Sequence, residues 1–213
     1  MKITKDLYES KKEFIQGMFS LGGLSECGKT SAGLYLQRIG VKRMKIIQIE
    51  REMMEERGYD LSEGMKEHHF DELYAVNIED VFREFLYRLI TKLQAEGIKF
   101  ASIESLYRAE LGAFLKKELG SRMINIFIDA PVEVRAEREL QKINKKAASE
   151  NKSKATLKEV IDQTKQKDAF KLRHGADRVK DVANIIINND SLITKAEFDS
   201  MVGGIASILL KRG

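Results

Sequence analysis

The chain has 213 residues, 43% of them hydrophobic, 33% charged and 8% aromatic, which is ample apolar material for one packed domain. A net charge of +4 is too mild to demand a nucleic-acid partner, and phosphorylated small molecules suit it equally well. One cysteine excludes an internal disulfide, no apolar run reaches transmembrane length, and Met1–Asp6 lacks the apolar core of a secretion signal, so a cytoplasmic protein is expected.

Taken in order, Phe14–Leu21 reads as a buried strand and Thr30–Arg38 as the helix that follows it. Lys45–Glu50 has the length and branching of a second short strand. Arg51–Arg57 then looks helical, with Gly58 as its stop, and residues 59–75 are polar with no clear period. Val81, Phe82, Phe85, Leu86, Leu89, Ile90 and Leu93 recur at three and four, which predicts an amphipathic helix over 79–95, closed by Gly97. Lys99–Glu104 reads as a third strand, with a helix after it through Leu111, Phe114, Leu115 and Leu119. Met123–Asp129 is the fourth strand, and Pro131 stands where a first helical residue tolerates a missing N–H.

From Gln141 to Lys158 the chain turns lysine-rich, and Thr156 with Glu159 has the spacing of a capping box. Ala183–Asn189 is a fifth strand, and Thr194 with Glu197 opens a last helix through Phe198, Met201, Val202, Ile205, Ile208 and Leu209. Short apolar strands alternating with helices imply an α/β fold in three layers, α/β/α, around a five-stranded parallel sheet. Ligands of such a sheet bind beyond the carboxyl ends of its strands.

Between the first strand and its helix lies Gly23-Leu24-Ser25-Glu26-Cys27-Gly28-Lys29-Thr30, a full match to the phosphate-binding loop pattern. Gly23 and Gly28 permit the tight turn that aims successive amides at an anion. Leu24, Ser25, Glu26, Cys27 and Ser31 contribute backbone to the same cradle, and the helix N-terminus adds its dipole. Lys29 brings a cation to the outer phosphates, and the Thr30 hydroxyl suits a magnesium ion bridging two of them. A nucleoside triphosphate, ATP with Mg2+, is therefore the expected ligand. Cys27, beside a helix N-terminus, is read as space-filling, with modest redox sensitivity as the alternative.

The order of these parts resembles the P-loop small-molecule kinases, namely the nucleoside monophosphate kinases and, more closely, dephospho-CoA kinase and its relatives. Glu50-Arg51-Glu52 falls where these kinases place an arginine for the acceptor's phosphate, and Ser102–Arg108 where a strand ends in an acid with an arginine soon after. Ile126–Arg138 resembles their fourth strand and the helix leading to the lid, and Ala176–Leu192 their last strand. The resemblance implies a P-loop nucleotide kinase fold over 1–213, with an acceptor-binding insert at about 51–80 and a helical lid at about 139–160. It implies catalytic roles for Lys29, Glu104, Arg135 and Arg138, with Glu104 in the magnesium shell through water or acting as a base. Arg51 and Arg108 are the acceptor-binding residues it points to.

Three departures bear on the acceptor. Gln48 and Glu50 stand near Arg51 where an aspartate is common, Glu104 replaces the usual aspartate, and the lid offers lysines, which cannot make arginine's bidentate phosphate contact. The implied activity is phosphoryl transfer from ATP to a small nucleotide-like acceptor, such as a nucleoside monophosphate or dephospho-CoA. The alternative is a P-loop ATPase or nucleotide-binding switch acting on a protein or RNA. No D-x-x-G follows a strand here, and Asn188-Asn189-Asp190 is not a guanine-reading sequence.

Overall fold

The computed structural model describes residues 5–75, 77–149 and 154–211. Helix α1 (Lys5–Phe14) precedes strand β1 (Gly17–Gly22), which runs into the glycine loop and helix α2 (Lys29–Arg38). Strand β2 (Lys42–Lys45) leads directly into α3 (Ile46–Glu56), followed by α4 (Glu67–Ala75) and α5 (Ile78–Ala95). Then come β3 (Phe100–Leu106), α6 (Ala109–Leu119), β4 (Met123–Asp129), α7 (Val132–Ser149), α8 (Leu157–Arg173), β5 (Ile185–Asn188) and α9 (Lys195–Leu210). The strands form one parallel sheet in the order β2-β3-β1-β4-β5. This order puts the glycine loop at the carboxyl end of the central strand, between β3 and β4, where the connections diverge to opposite faces. It is the three-layer α/β/α arrangement around a five-stranded parallel sheet that the sequence leads one to expect.

Alternation along β1 divides the interior. Met18 packs with α3, α5 and α6 on one face, whereas Phe19 and Leu21 pack with α2 and α9 on the other. Each of these side chains is fully buried, worth about 1.5–3 kcal/mol apiece in transfer terms. Ser20, the polar break in the strand, donates to Asn125 Oδ1 at 2.7 Å across the β1–β4 register. Asn125 in turn donates to the carbonyls of Gly112 and Val182, so the buried polar pair is satisfied.

Four elements depart from the sequence reading. Lys45–Glu50 is not the second strand: β2 ends at Lys45, and the isoleucine run begins α3. Ile46, Ile49, Glu50, Met53 and Met54 are buried while Ile47 is exposed, a spacing of three and four that belongs to a helix face. The segment 59–75 contains α4, whose Phe70, Leu73 and Tyr74 face inward on the same period. Helix α1 was not anticipated; it is mostly polar and buries only Tyr8 and Lys12. The expected lid at 139–160 is the tip of a helical hairpin made by α7 and α8, of which residues 150–153 lie outside the described residues. The capping box expected at Thr156 is present, and Thr194 forms a second: the Thr156 and Thr194 side chains accept from the Glu159 and Glu197 amides, and each glutamate accepts in return.

Candidate nucleotide site

The loop from Gly23 to Thr30 folds as its composition requires. Gly23 and Gly28 have φ of 127° and 117°, and Glu26, at 59°, also takes the left-handed conformation that L-residues avoid. A Cβ on Gly23 would lie 2.3 Å from the Ile128 carbonyl oxygen, and one on Gly28 2.5 Å from Asn189 Nδ2. Helix α2 starts from Gly28 with no side-chain cap, so its first amides are available to an anion. Lys29 is buried, its Nζ donating to the Gly23 carbonyl at 2.8 Å and to the Leu24 carbonyl, with Cys27 Sγ at 3.5 Å. Cys27 itself is buried in the core on the α2 and α9 side, the space-filling role.

A cleft of about 800 Å³ opens over this loop. Lys29, Arg138, Lys142, Lys145, Lys167, Lys171 and Lys195 line it, along with the Thr30 and Ser31 side chains; Glu26 is the acid among its lining residues. Lys142 pairs with Glu26, and Lys167 with Glu139 at 2.8 Å. Burial first, and the nearby Lys29 ammonium second, pull the Lys171 amine down to about 8. Its Nζ donates to Ser25 Oγ at 2.9 Å. Arg138 Nη2 donates to the Asn189 carbonyl and side-chain oxygens, at 3.0 and 3.1 Å, while its Nη1 is buried with no partner among the described residues. Asn189 Nδ2 donates to the Cys27 carbonyl at 2.8 Å, tying the end of β5 to the loop.

Arg135 lies elsewhere than its expected catalytic role implies. It is 4% exposed, and its guanidinium donates to the Ala130 carbonyl at 3.0 Å, the Ser25 carbonyl at 2.9 Å and Asp168 Oδ2 at 2.5 Å. Asp168 Oδ1 meanwhile accepts from the Ser25 amide at 2.8 Å. All three polar groups of Ser25 are therefore held by the α7–α8 hairpin, through Arg135, Asp168 and Lys171. The hairpin braces the loop from outside, and Arg138, one turn along α7, is the arginine that lines the cleft.

Glu104, at the carboxyl end of β3, is also engaged. It is 3% exposed and forms a bidentate pair with Arg43 of β2, whose Nη2 donates to Oε2 at 2.8 Å and whose Nε donates to Oε1. The carboxylate lies so close to α2 that a Cβ on Gly33 would come within 1.8 Å of Oε1. The next residue, Ser105, has φ of 66° and occupies a register shift between β1 and β3, where Gly22 pairs with Leu106. This bulge turns Ser105 into the lining of the cleft.

The two expected acceptor residues separate. Arg51 is exposed on α3 and is not among the cleft-lining residues. Arg108 stacks over the Tyr74 ring at 3.9 Å and donates from Nη2 to His174 Nδ1 at 3.0 Å. Beside it Glu50, fully buried, accepts from the Tyr74 and Tyr107 hydroxyls at 2.6 and 2.5 Å. Burial pushes the Glu50 carboxyl up, against the two hydroxyl hydrogen bonds and the Arg108 charge, which draw it down. Arg43, Ser105, Asp168, Lys171 and Asn189 are site residues that the sequence reading did not single out. Only Asp168 and Lys171 had a readable signal, being three apart and so on one face of a helix that follows the loop family's lid position.

No family model and no curated protein matches the sequence. Solved structures do match in fold. An uncharacterized protein from Eubacterium ventriosum aligns over 89% of this chain and 97% of its own, at 13% identity and a TM-score of 0.54. TT1252 from Thermus thermophilus aligns over 91% and 98%, at 13% identity and a TM-score of 0.50. A gluconokinase from Sinorhizobium meliloti overlaps more loosely, over 92% and 95% at 14% identity, with a TM-score of 0.48. Likeness at such identity shows a shared architecture and says nothing of substrate. Among the described residues no helix is long and apolar enough to cross a membrane.

Proposed function

We propose that this chain transfers the terminal phosphoryl group of a magnesium-bound nucleoside triphosphate, ATP by expectation, to a small-molecule acceptor. One observation carries the reading: a loop with both required glycines left-handed, an uncapped helix start and a lysine-lined cleft converge at the carboxyl end of the central strand. The fit to a polyphosphate is chemical, since the amides of the loop and the unpartnered Arg138 Nη1 offer donors to oxygen anions. Phosphoryl transfer needs alignment and charge neutralisation more than covalent chemistry, and both are what this lining offers.

Within that reading, Lys29 and the loop amides hold the outer phosphates, and Thr30 supplies the hydroxyl for magnesium. Magnesium, when bound, neutralises charge between those phosphates. The family resemblance assigns Glu104 to the metal's water shell; both its oxygens are held by Arg43, and it is not among the cleft-lining residues. Arg138, Lys142 and Lys171 stabilise charge on the group in transfer, whereas Arg135 positions the loop through Ser25. The family resemblance favours a nucleotide-like acceptor, a nucleoside monophosphate or dephospho-CoA, lying on the Arg108 side. A P-loop ATPase or switch is the second reading, favoured by a hairpin that docks rather than hangs free.

Purified protein with magnesium-ATP and a panel of acceptors distinguishes the two. Release of ADP well above the acceptor-free background, abolished by Lys29→Ala, supports the kinase. Release that no acceptor stimulates would leave the ATPase.

A further inference from the structure

We propose that the acceptor end of the site takes an electrically neutral alcohol, with Glu50 accepting from its hydroxyl while Arg108 and His174 donate to a neighbouring oxygen. The inference rests on the kinase reading above and replaces its phosphorylated, nucleotide-like acceptor with an uncharged one.

Three buried polar atoms in one cluster lack partners among the described residues: Glu50 Oε2, Arg108 Nε and His174 Nε2. Buried polar atoms are nearly always paired, so three together, from α3, the end of β3 and the end of α8, specify what they would bind. Both tyrosine hydroxyls go to Glu50 Oε1, leaving Oε2 as an acceptor. A guanidinium only donates, so His174 Nδ1 accepts from Arg108 and Nε2 carries the ring proton. Burial and the Arg108 charge hold His174 below its ordinary range, consistent with a neutral ring. Asp71 Oδ1, at 3.9 Å, is too far to use that proton in a hydrogen bond. The set asks for one O–H and one oxygen with free lone pairs, which adjacent hydroxyls on a carbon chain or ribose supply.

Charge points the same way. Glu50 and Arg108 offset one another, and around them stand Asp71 and the surface pair of Glu67 with Arg173 at 2.5 Å. A phosphomonoester dianion would enter this buried cluster without a surplus of cations to meet it, at a large desolvation cost. The surplus lies instead over the glycine loop. The two ends are adjacent: Tyr107 and Arg108 follow Leu106, which pairs with Gly22, and His174 is one turn past Lys171, which binds Ser25. Aromatic rings of Phe70, Phe170 and Tyr107 close the cluster around its polar atoms.

The test uses the full chain with magnesium-ADP present and calorimetric titration of matched pairs: adenosine with adenosine 5′-monophosphate, and glucose with glucose 6-phosphate. At least one neutral member is expected to bind about tenfold or more tightly than its phosphate ester, as a charge-assisted hydrogen bond allows; the pair that responds tells a nucleoside from a sugar. Glu50→Gln should weaken that neutral ligand about tenfold, improve its phosphate ester and leave magnesium-ADP affinity unchanged. The inference is overturned if phosphate esters bind more tightly than their neutral partners, if Glu50→Gln weakens both equally, or if neither pair shows neutral-ligand binding. The wild-type ratio decides alone should Glu50→Gln not fold. Loss of magnesium-ADP binding itself would remove the kinase reading and this inference with it, whereas transfer to a phosphate ester would keep the former and sink the latter.

Discussion

Removing the Asp168 carboxylate should reveal how much the α7–α8 hairpin contributes to the loop. In Asp168→Ala the Arg135 guanidinium, 4% exposed, keeps two carbonyl acceptors but loses its counter-charge, and the Ser25 amide loses its acceptor. Breaking a buried pair from one side costs about 3–5 kcal/mol, because the remaining charge cannot be resolvated. For a chain of this size, 3 kcal/mol corresponds to a fall in melting temperature of about 6–12 °C. The double variant Arg135→Met/Asp168→Leu removes both charges and fills the space, so it should recover more than half of that loss, leaving a residue of about 1–2 kcal/mol from the Ser25 amide. Urea unfolding of the wild type, Arg135→Met, Asp168→Leu and the double variant provides the cycle. A single-variant loss below about 1 kcal/mol, or a double variant as unstable as the two singles added, would refute the clamp.

Other outcomes follow from the same geometry. Lys29→Ala should cut transfer at least about a hundredfold while circular dichroism stays native, since among the described residues the side chain's hydrogen bonds go to loop carbonyls and the Cys27 sulfur. Lys171, at about 8 and below its ordinary value, favours triphosphate binding only while protonated. Affinity should therefore be fully present below pH 8 and fall as pH rises through it, and Lys171→Met should flatten that arm in a pH series of nucleotide titrations. Gly33→Ala, which in an exposed helix would stabilise by up to about 1 kcal/mol, should here destabilise by about 1–3 kcal/mol, because the new Cβ meets Glu104 Oε1; a gain in melting temperature would count against the Arg43–Glu104 placement. Arg108→Ala should raise the acceptor's Michaelis constant about tenfold or more with the nucleotide constant unchanged, and equal effects on both would demote it to a packing residue.

The amino-acid order by itself determined the glycine loop, the strand before it, the helix after it and the capping box at Thr156, since each depends on neighbours a few residues apart. Gly23, Gly28, Lys29 and Thr30 were legible for that reason; the structure gives both glycines a positive φ and puts Lys29 and Thr30 in the cleft lining. The isoleucine run after Lys45 was misleading because a short apolar stretch satisfies a strand and a helix equally until burial shows which residues face in. Long-range pairing alone decided the rest. Arg43 reaches Glu104 only because β2 lies beside β3, and Arg135 meets Asp168 only because the hairpin folds back on Ser25. A charged side chain shows its type in the chain, but whether it grips a phosphate, a neighbouring carboxylate or solvent depends on which backbone comes within about 3 Å of it, and that is set by packing.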